Sequence, residues 1–323
     1  MAVLTFAYIM VHFYHPICII YCMGPEKARR ISMRLGIISN LDKDPEYAFA
    51  RYAATKIKEM GSQAIVDDFY SNSVLAKESS AKVAGYEGCD LIFCLGGDGT
   101  FLSAVHEHFL KDIPIIGVNL GSIGFLAEIQ PNEFEECLSL IHRGRYRIEK
   151  RLQLLTTVIR EDGTEKGSGI CLNDAVVARG RLLHVFNLDL FIDDDYVERL
   201  SGDGVIISTP TGSTAYSLAA GGPIVKPDLH AFLVTPICPH TLHSRSYIVS
   251  EDSRVEIHIR KFNDPPILCF DGRNEINLEP MDRVIIGKSE HYMKIARVGH
   301  SNYYQTIRNK IRARGSFYED GEK

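Results

Sequence analysis

The residues best placed to do chemistry are Gly96-Gly97-Asp98-Gly99-Thr100, a glycine-rich turn that follows the apolar run Leu91–Leu95 and opens into another apolar segment. Glycines permit positive φ angles and let backbone N–H groups approach a ligand closely. A strand, a tight loop and a helix start in that order suit phosphate oxygens. A carboxylate repels phosphate, so Asp98 fits such a loop as the partner of a hydroxyl proton or of a metal ion. Read alone, the loop is equally compatible with a plain strand-to-helix turn. A second dense stretch runs from Ser201 to Ser217 and on to Gly221-Gly222-Pro223, with seven hydroxyl side chains between Ser208 and Ser217. That density of small donors and acceptors suits the lining of a sugar-phosphate site, and the alternative is a Ser/Thr turn capping a helix near Thr214.

Other motifs weigh less. Gly97-x-Gly99-x-x-Leu102 lacks the third glycine of a dinucleotide fingerprint, and Gly287-Lys288-Ser289 has Asp282 where a P-loop needs its first glycine, so the latter reads as a turn. His240 and His243 stand three apart with no third ligand near in sequence, which favours a hydrogen-bonded histidine at a strand end over a metal site. Asp193–Asp195 reads as a solvated hairpin turn. His106 and His108 face different directions on a helix. Asp271-Gly272 reads as a turn after the strand Ile267–Phe270, with a contribution to a site left open.

The elements that must hold these loops change character along the chain. Leu35–Ser39 is a short apolar strand, and Asp44-Pro45 supplies an N-cap and a proline at the first helical position. The helix that follows places Phe49, Tyr52, Ala53, Ile57 and Met60 on one face and stops at Gly61. A strand at 64–66, a weaker helix over 72–84, the strand at 90–95, a helix over Phe101–Leu110, a strand over Ile113–Val118 and a helix over Pro131–His142 complete an alternating pattern. Continuous apolar strands between helices imply a parallel sheet covered on both faces. Ligands then sit at the carboxyl ends of the strands, where Gly96–Thr100 and Asn119–Phe125 fall. From about residue 150 the pattern turns to β, with strands over Leu154–Arg160, Gly169–Ala178 and His184–Ile192. Strict alternation places Val255, Ile257 and Ile259 on one face. Asn302–Arg314 returns to helical spacing, and its basic residues Arg308, Lys310, Arg312 and Arg314 read as the solvated side of a helix that packs back on the first domain.

Composition limits the function classes. With 323 residues the chain suggests two domains, and 45% apolar with 24% charged residues is ordinary for a globular protein with a real core. A net charge of −5 carries no footprint of a nucleic-acid binder. Eight scattered cysteines without a CxxC pair, three of them (Cys94, Cys171, Cys269) inside apolar runs, favour reduced, buried thiols in a cytoplasmic protein. Residues 2–22 are mostly apolar but carry His12, His15 and Pro16, and no basic residue precedes them. A non-native upstream extension is the preferred reading, ahead of a membrane anchor or a targeting segment, so membrane contact is expected only if that extension is real.

The combination of GGDGT at 96–100, Leu172-Asn173-Asp174, GDGVIISTPTGSTAYSLAAGGPIV at 202–225 and Thr235-Pro-Ile-Cys-Pro-His-Thr-Leu242 resembles the NAD kinases of bacterial type. The resemblance runs from about Leu35 to Val298. GGDGT alone is shared with diacylglycerol-type lipid kinases and 6-phosphofructokinases, whereas the 209–217 segment together with the Asn-Asp pair is far more specific. The resemblance implies transfer of the γ-phosphate of ATP to the 2′-hydroxyl of the adenosine ribose of NAD, giving NADP, with Mg²⁺ or another divalent cation accompanying ATP and no metal site of the chain's own. It implies a phosphofructokinase/diacylglycerol-kinase-like α/β N-terminal domain over 33–148, a mainly antiparallel β, NAD-binding domain over 149–299, a C-terminal helix at about 300–323 packing back on the first, and residues 1–32 outside the family fold. Asp98 matches the catalytic base; Gly96, Gly97, Gly99 and Thr100 the phosphate-facing loop; and Asp98, Gly99, Phe125, Asn173, Asp174, Asp203, Thr209, Ser213, Thr214, Ala215 and Tyr216 the dinucleotide contacts. The family often has glutamate where Asp174 stands, one methylene longer. Family members commonly form homodimers or homotetramers. Asp98→Asn is expected to keep the fold and lose activity. A lipid kinase of the GGDGT superfamily and a non-catalytic dinucleotide binder are the alternatives.

Overall fold

The computed structural model describes residues 32–107, 112–121, 124–180, 186–241, 243–262, 264–299 and 303–315, the last five without their side chains. The apolar stretch 2–22, His108, Leu110, Ser122, Ile123, His184, Leu242, Asn302 and the side chains of Arg312 and Arg314 lie outside them.

The alternating half of the sequence builds strands β1 (Arg34–Ser39), β2 (Gln63–Val66), β3 (Lys82–Val83), β4 (Leu91–Gly96), β5 (Ile115–Asn119), β6 (Ala127–Ile129) and β7 (Tyr146–Arg151), with helices α1 (Ala48–Glu59), α2 (Val74–Glu78), α3 (Asp98–Glu107) and α4 (Phe134–His142). Strand side chains alternate between two cores. Leu35, Ile37, Phe93 and Leu95 meet α1 and α4, whereas Ile38, Ile92 and Cys94 meet Phe101 and Ala104 of α3. Burial on both faces is why these strands read as unbroken apolar runs. α1 starts later than expected, because Glu46 and Tyr47 take left-handed φ angles of 56° and 53°. Asp44 still caps it, its carboxylate accepting the N–H groups of Phe49 at 2.7 Å and Ala50 at 2.9 Å.

The remaining strands are β8 (Leu154–Ile159), β9 (Glu165–Cys171), β10 (Asp174–Ala178), β11 (Phe186–Ile192), β12 (Asp195–Gly202), β13 (Gly204–Ser208), β14 (Ala231–Ile237), β15 (Tyr247–Ser250), β16 (Val255–Ile259), β17 (Ile267–Phe270), β18 (Asn274–Asn277), β19 (Arg283–Lys288) and β20 (Met293–Val298), with helices α5 (Tyr216–Ala219) and α6 (Tyr303–Gly315). They form two antiparallel sheets, β15-β14-β13-β10-β17-β18 and β12-β11-β16-β19-β8-β9. Val177, Ile207 and Phe232 of the first share one core with Leu188, Ile257 and Ile286 of the second, which makes a sandwich. Asp193 and Asp194, with φ of 52° and 69°, form the two-residue turn between β11 and β12. Gly287-Lys288 ends a strand, with the Lys288 ammonium 3.0 Å from Glu251 and 2.9 Å from Asp252.

Three expectations are corrected here. The single strand expected over Gly169–Ala178 is two, for the chain leaves β9 in one sheet and enters β10 in the other across Leu172-Asn173. β20, expected with the β-rich part, inserts into the first sheet, whose order is β3-β2-β1-β4-β5-β20-β7 with β6 beside β5. It pairs parallel to β5 and antiparallel to β7. Lys310 of α6 is buried at 4% exposure rather than solvated, and its ammonium lies 3.6 Å from the centroid of the Phe125 ring.

Cys89, Cys94, Cys137 and Cys171 are buried free thiols, and burial pushes Cys94 and Cys137 up to about 12. Among the described residues no helix is long and apolar enough to cross a membrane.

β6 matters because it anchors the segment Phe125–Ala127, whose amides face Asp98. It fits against β5 only because Gly117 lacks a side chain: a Cβ there would lie 2.6 Å from the Ala127 Cα. Gly117→Ala is therefore expected to cost about 1–3 kcal/mol of stability through overpacking. Urea unfolding measures this, and an unchanged midpoint would contradict the packing described.

Candidate active site

α3 begins at Asp98, at the carboxyl end of β4. The Asp98 carboxylate accepts the N–H of Phe125 at 2.6 Å on Oδ2, and those of Leu126 at 2.9 Å and Ala127 at 3.2 Å on Oδ1. A carboxylate has about four lone-pair positions, so the second position of Oδ2 is the one left for a proton. Gly124 makes this possible, for a Cβ there would collide with the carboxylate. The loop that donates the three amides is held from behind by Arg297 of β20, which reaches the carbonyls of Leu126 at 3.2 Å and Phe125 at 3.5 Å and pairs with Glu128 at 3.1 Å. Burial opposes a charge on Glu149, but Arg297 and Arg151 outweigh it and hold its carboxyl down at about 2.

The glycines serve the loop differently from the expectation. Only Gly96 departs from negative φ, and a Cβ on it would strike the Thr100 side chain, which is buried beneath it. Gly97 and Gly99 have no atom within 4 Å of the place a Cβ would occupy, so their backbone offers an open face. Of the expected phosphate loop, Gly97 and Gly99 are presented outward and Gly96 and Thr100 are packed inward.

The chain crosses between the sandwich sheets at Leu172-Asn173-Asp174. Asp271, with φ of 49° at the end of β17, accepts the N–H groups of Leu172 at 2.8 Å, Asn173 at 2.8 Å and Asp174 at 2.9 Å. The Nε2–H of His106, on α3, donates to the same carboxylate at 2.8 Å. Two residues on, Arg273 donates to the Gly99 carbonyl at 2.8 Å. The loop carrying Asp98 and the segment carrying Asn173 and Asp174 thus meet at one turn. Asp174 is buried, and that burial, with the neighbouring Asp271 charge, pushes its carboxyl up from 3.8 to about 7.

The hydroxyl-rich stretch points inward. Thr209 Oγ1 donates to the Leu172 carbonyl at 2.6 Å, and Ser213 Oγ donates to the Pro210 carbonyl at 2.7 Å and accepts the Val225 N–H at 3.1 Å. Thr214 Oγ1 donates to the Thr211 carbonyl at 3.4 Å, and Ser217 meets Thr235 at 3.0 Å. These hydroxyls hydrogen-bond to the backbone and to one another, and so shape the loop. What faces outward is Tyr216, 46% exposed, beside the half-buried Ala215. Partial burial raises the Tyr216 hydroxyl, and Cys238, Asp203 and Asp174 lie close enough to add to the effect. Asp203 pairs with Arg179 at 3.1 Å. The structure thus gathers Asp174, Asp203 and Tyr216, while the half-buried Phe125 ring lies under Lys310. His240 and His243 are exposed, with the His240 N–H on the Ser201 carbonyl at 2.8 Å.

Sequence reasoning read Asp271 as a turn with a contribution to a site left open, set His106 aside, and passed over Arg273 and Arg297. Asp271 lies 97 or more residues from the amides it binds, and the one local signal was an aspartate before glycine at a strand end.

The ATP-NAD kinase N-terminal domain family matches residues 35–146, and the ATP-NAD kinase C-terminal domain family matches residues 172–298. The chain is 38% identical over 285 residues to the NAD kinase of Acetivibrio thermocellus, covering 88% of this chain and 98% of that one. It is 35% identical over 279 residues to the NAD kinase of Ruminiclostridium cellulolyticum, covering 86% and 97%. Among solved structures, yeast NADH kinase complexed with NADH superposes with a TM-score of 0.76 at 25% identity over 90% of this chain and 89% of that one. An NAD kinase from Archaeoglobus fulgidus in complex with ATP superposes at 0.67, covering 87% and 99%, and its 23% identity speaks for the fold.

The Asp174 shift has a consequence for stability. Between pH 3.8 and 7 the folded chain keeps a proton that the unfolded chain has released, so this group's contribution is fully present below pH 3.8 and is lost as pH rises through 7. Asp174→Asn removes the dependence. Its melting temperature, measured without nucleotide, should gain on the parent from pH 5 to pH 8; a gap that stays constant over that range would refute the assignment.

Proposed function

The chain belongs to the ATP-NAD kinase family, and from that membership we infer how its residues divide the work of NAD phosphorylation. The reaction moves the γ-phosphate of ATP to the 2′-hydroxyl of the adenosine ribose of NAD and yields NADP. Asp98 takes the hydroxyl proton on the free position of Oδ2 as the hydroxyl oxygen attacks the γ-phosphorus and the bond to the β-γ bridging oxygen breaks, releasing ADP. The observation that carries this reading is the carboxylate itself: three backbone amides aim it, at the mouth of a loop whose Gly97 and Gly99 leave room for phosphate. Alignment and charge stabilisation are most of what phosphoryl transfer asks of a protein.

The Gly97 and Gly99 backbone receives the phosphates of ATP, with Gly96 and Thr100 supporting it from below. Asn173, Asp174, Asp203, Ala215, Tyr216 and Phe125 receive NAD, and Thr209, Ser213 and Thr214 hold that loop in shape. Residues 33–148 then supply the donor side and the Phe125 wall, and 149–299, apart from β20, the rest of the acceptor side, with residues 1–32 outside the family fold. No group of three or more His, Cys, Asp or Glu side chains that could hold a metal ion gathers among the described residues. A divalent cation accompanying ATP, Mg²⁺ or another, would screen the phosphate charge. A cytoplasmic location fits the buried free thiols, and a homodimer or homotetramer fits the edge strand β15, where Ile248 is exposed.

Asp98→Asn tests the base. Asparagine keeps one of the two acceptor oxygens, so at least one loop amide loses its partner. The fold is therefore expected to be kept at a cost of about 1–3 kcal/mol. The rate of NADP formation from ATP, Mg²⁺ and NAD should fall about 10²–10⁴-fold in protein shown by circular dichroism to be folded. A folded variant with full activity would end the assignment, and a lipid acceptor in the same assay should stay unphosphorylated.

A further inference from the structure

The Asp271–Arg273 turn grips α3 at both ends. The Asp271 side chain is fully buried and its four lone-pair positions are filled: Oδ2 by the Leu172 N–H and His106, Oδ1 by the N–H groups of Asn173 and Asp174. Arg273 adds a second contact with the helix, one amino group on the Gly99 carbonyl at 2.8 Å and the other 3.4 Å from Glu107. Gly99 lies in the first turn of α3, and His106 and Glu107 in its last. At 1.5 Å per residue the grips stand about 10 Å apart along the helix. One grip would leave α3 free to pivot about it. Two, closing on the same turn, remove that freedom.

We propose that His106 and Arg273 are positioning residues for phosphoryl transfer. They lock the helix that begins with Asp98 to the 172–174 segment, so that a ribose hydroxyl held by that segment arrives at Oδ2 of Asp98. The proposal rests on the reading of Asp98 as base and of Asn173–Asp174 as part of the acceptor site. Neither residue needs to touch a substrate to act in this way. Asp98 comes from the parallel sheet and Asn173 from the sandwich, and a misplacement of about 1 Å between reacting groups can cost about 10²-fold in rate. A grip that fixes their relation acts on turnover more than on affinity. The His106 pair is shielded, its imidazole 12% exposed, so water does not readily replace it.

His106→Ala and Arg273→Met are expected each to lower kcat for NADP formation tenfold or more while the dissociation constant for NAD stays within threefold of the parent. His106→Gln, which keeps a donor toward Asp271, should recover most of the loss. Hydrogen exchange without nucleotide should show the amides of Leu172, Asn173 and Asp174 exchanging severalfold faster in His106→Ala. Should that variant fail to fold, Arg273→Met, at a partly exposed guanidinium, carries the test. A kcat within twofold of the parent in the folded variants, or a loss confined to NAD affinity, would overturn the proposal; so would faster exchange with unchanged kcat. Full activity in folded Asp98→Asn would instead remove the base on which the proposal stands, and so separates the two failures.

Discussion

A chain that leaves one sheet for another must carry several peptide groups outside both ladders, and buried peptide groups need partners. At residues 172–174 one carboxylate meets that demand on the N–H side, with Asp271 accepting three successive amides. On the carbonyl side Thr209 serves, its hydroxyl on Leu172 and its own N–H on Asn173 at 2.9 Å. The order of strands in the sandwich and the seat of Leu172 in the core beneath α3 both depend on this crossing being satisfied. Structure and site therefore share one set of hydrogen bonds.

Three carboxylates crowd this region, and each is made tolerable differently. Asp98 is surrounded by amides of the 125–127 segment. Asp271 has amides and an imidazole. Asp174, next to Asp271 and deprived of water, holds its proton up to about pH 7. The proton kept on Asp174 thus spares the buried Asp271 a second negative charge beside it.

Much of this was legible in the sequence. Strands β1, β4 and β5 read as apolar runs because both of their faces are covered, and β16 read as alternating because one face meets the sandwich core. GGDGT at the end of β4 marked the turn that opens α3. The break between β9 and β10 was not legible, because Ile170-Cys171-Leu172 continues the apolar pattern through the crossing and a change of sheet leaves no local mark. Nor does composition tell whether a hydroxyl faces a ligand or its own backbone, which is why Thr209 and Ser213 read as lining. Lys310 misled for a related reason: a charge on a helix reads as solvated until an aromatic ring such as Phe125 is found beneath it.

The thiols carry one more consequence. Cys94 stands on the strand that delivers Asp98, and Cys171 stands immediately before the crossing; burial, with a nearby carboxylate in each case, raises both thiols. The thiolate is the form that reacts with oxidants and alkylating agents, and these side chains almost never adopt it. These two sulfurs are therefore poor targets for oxidants and alkylating agents and serve as small apolar packing groups beneath the site.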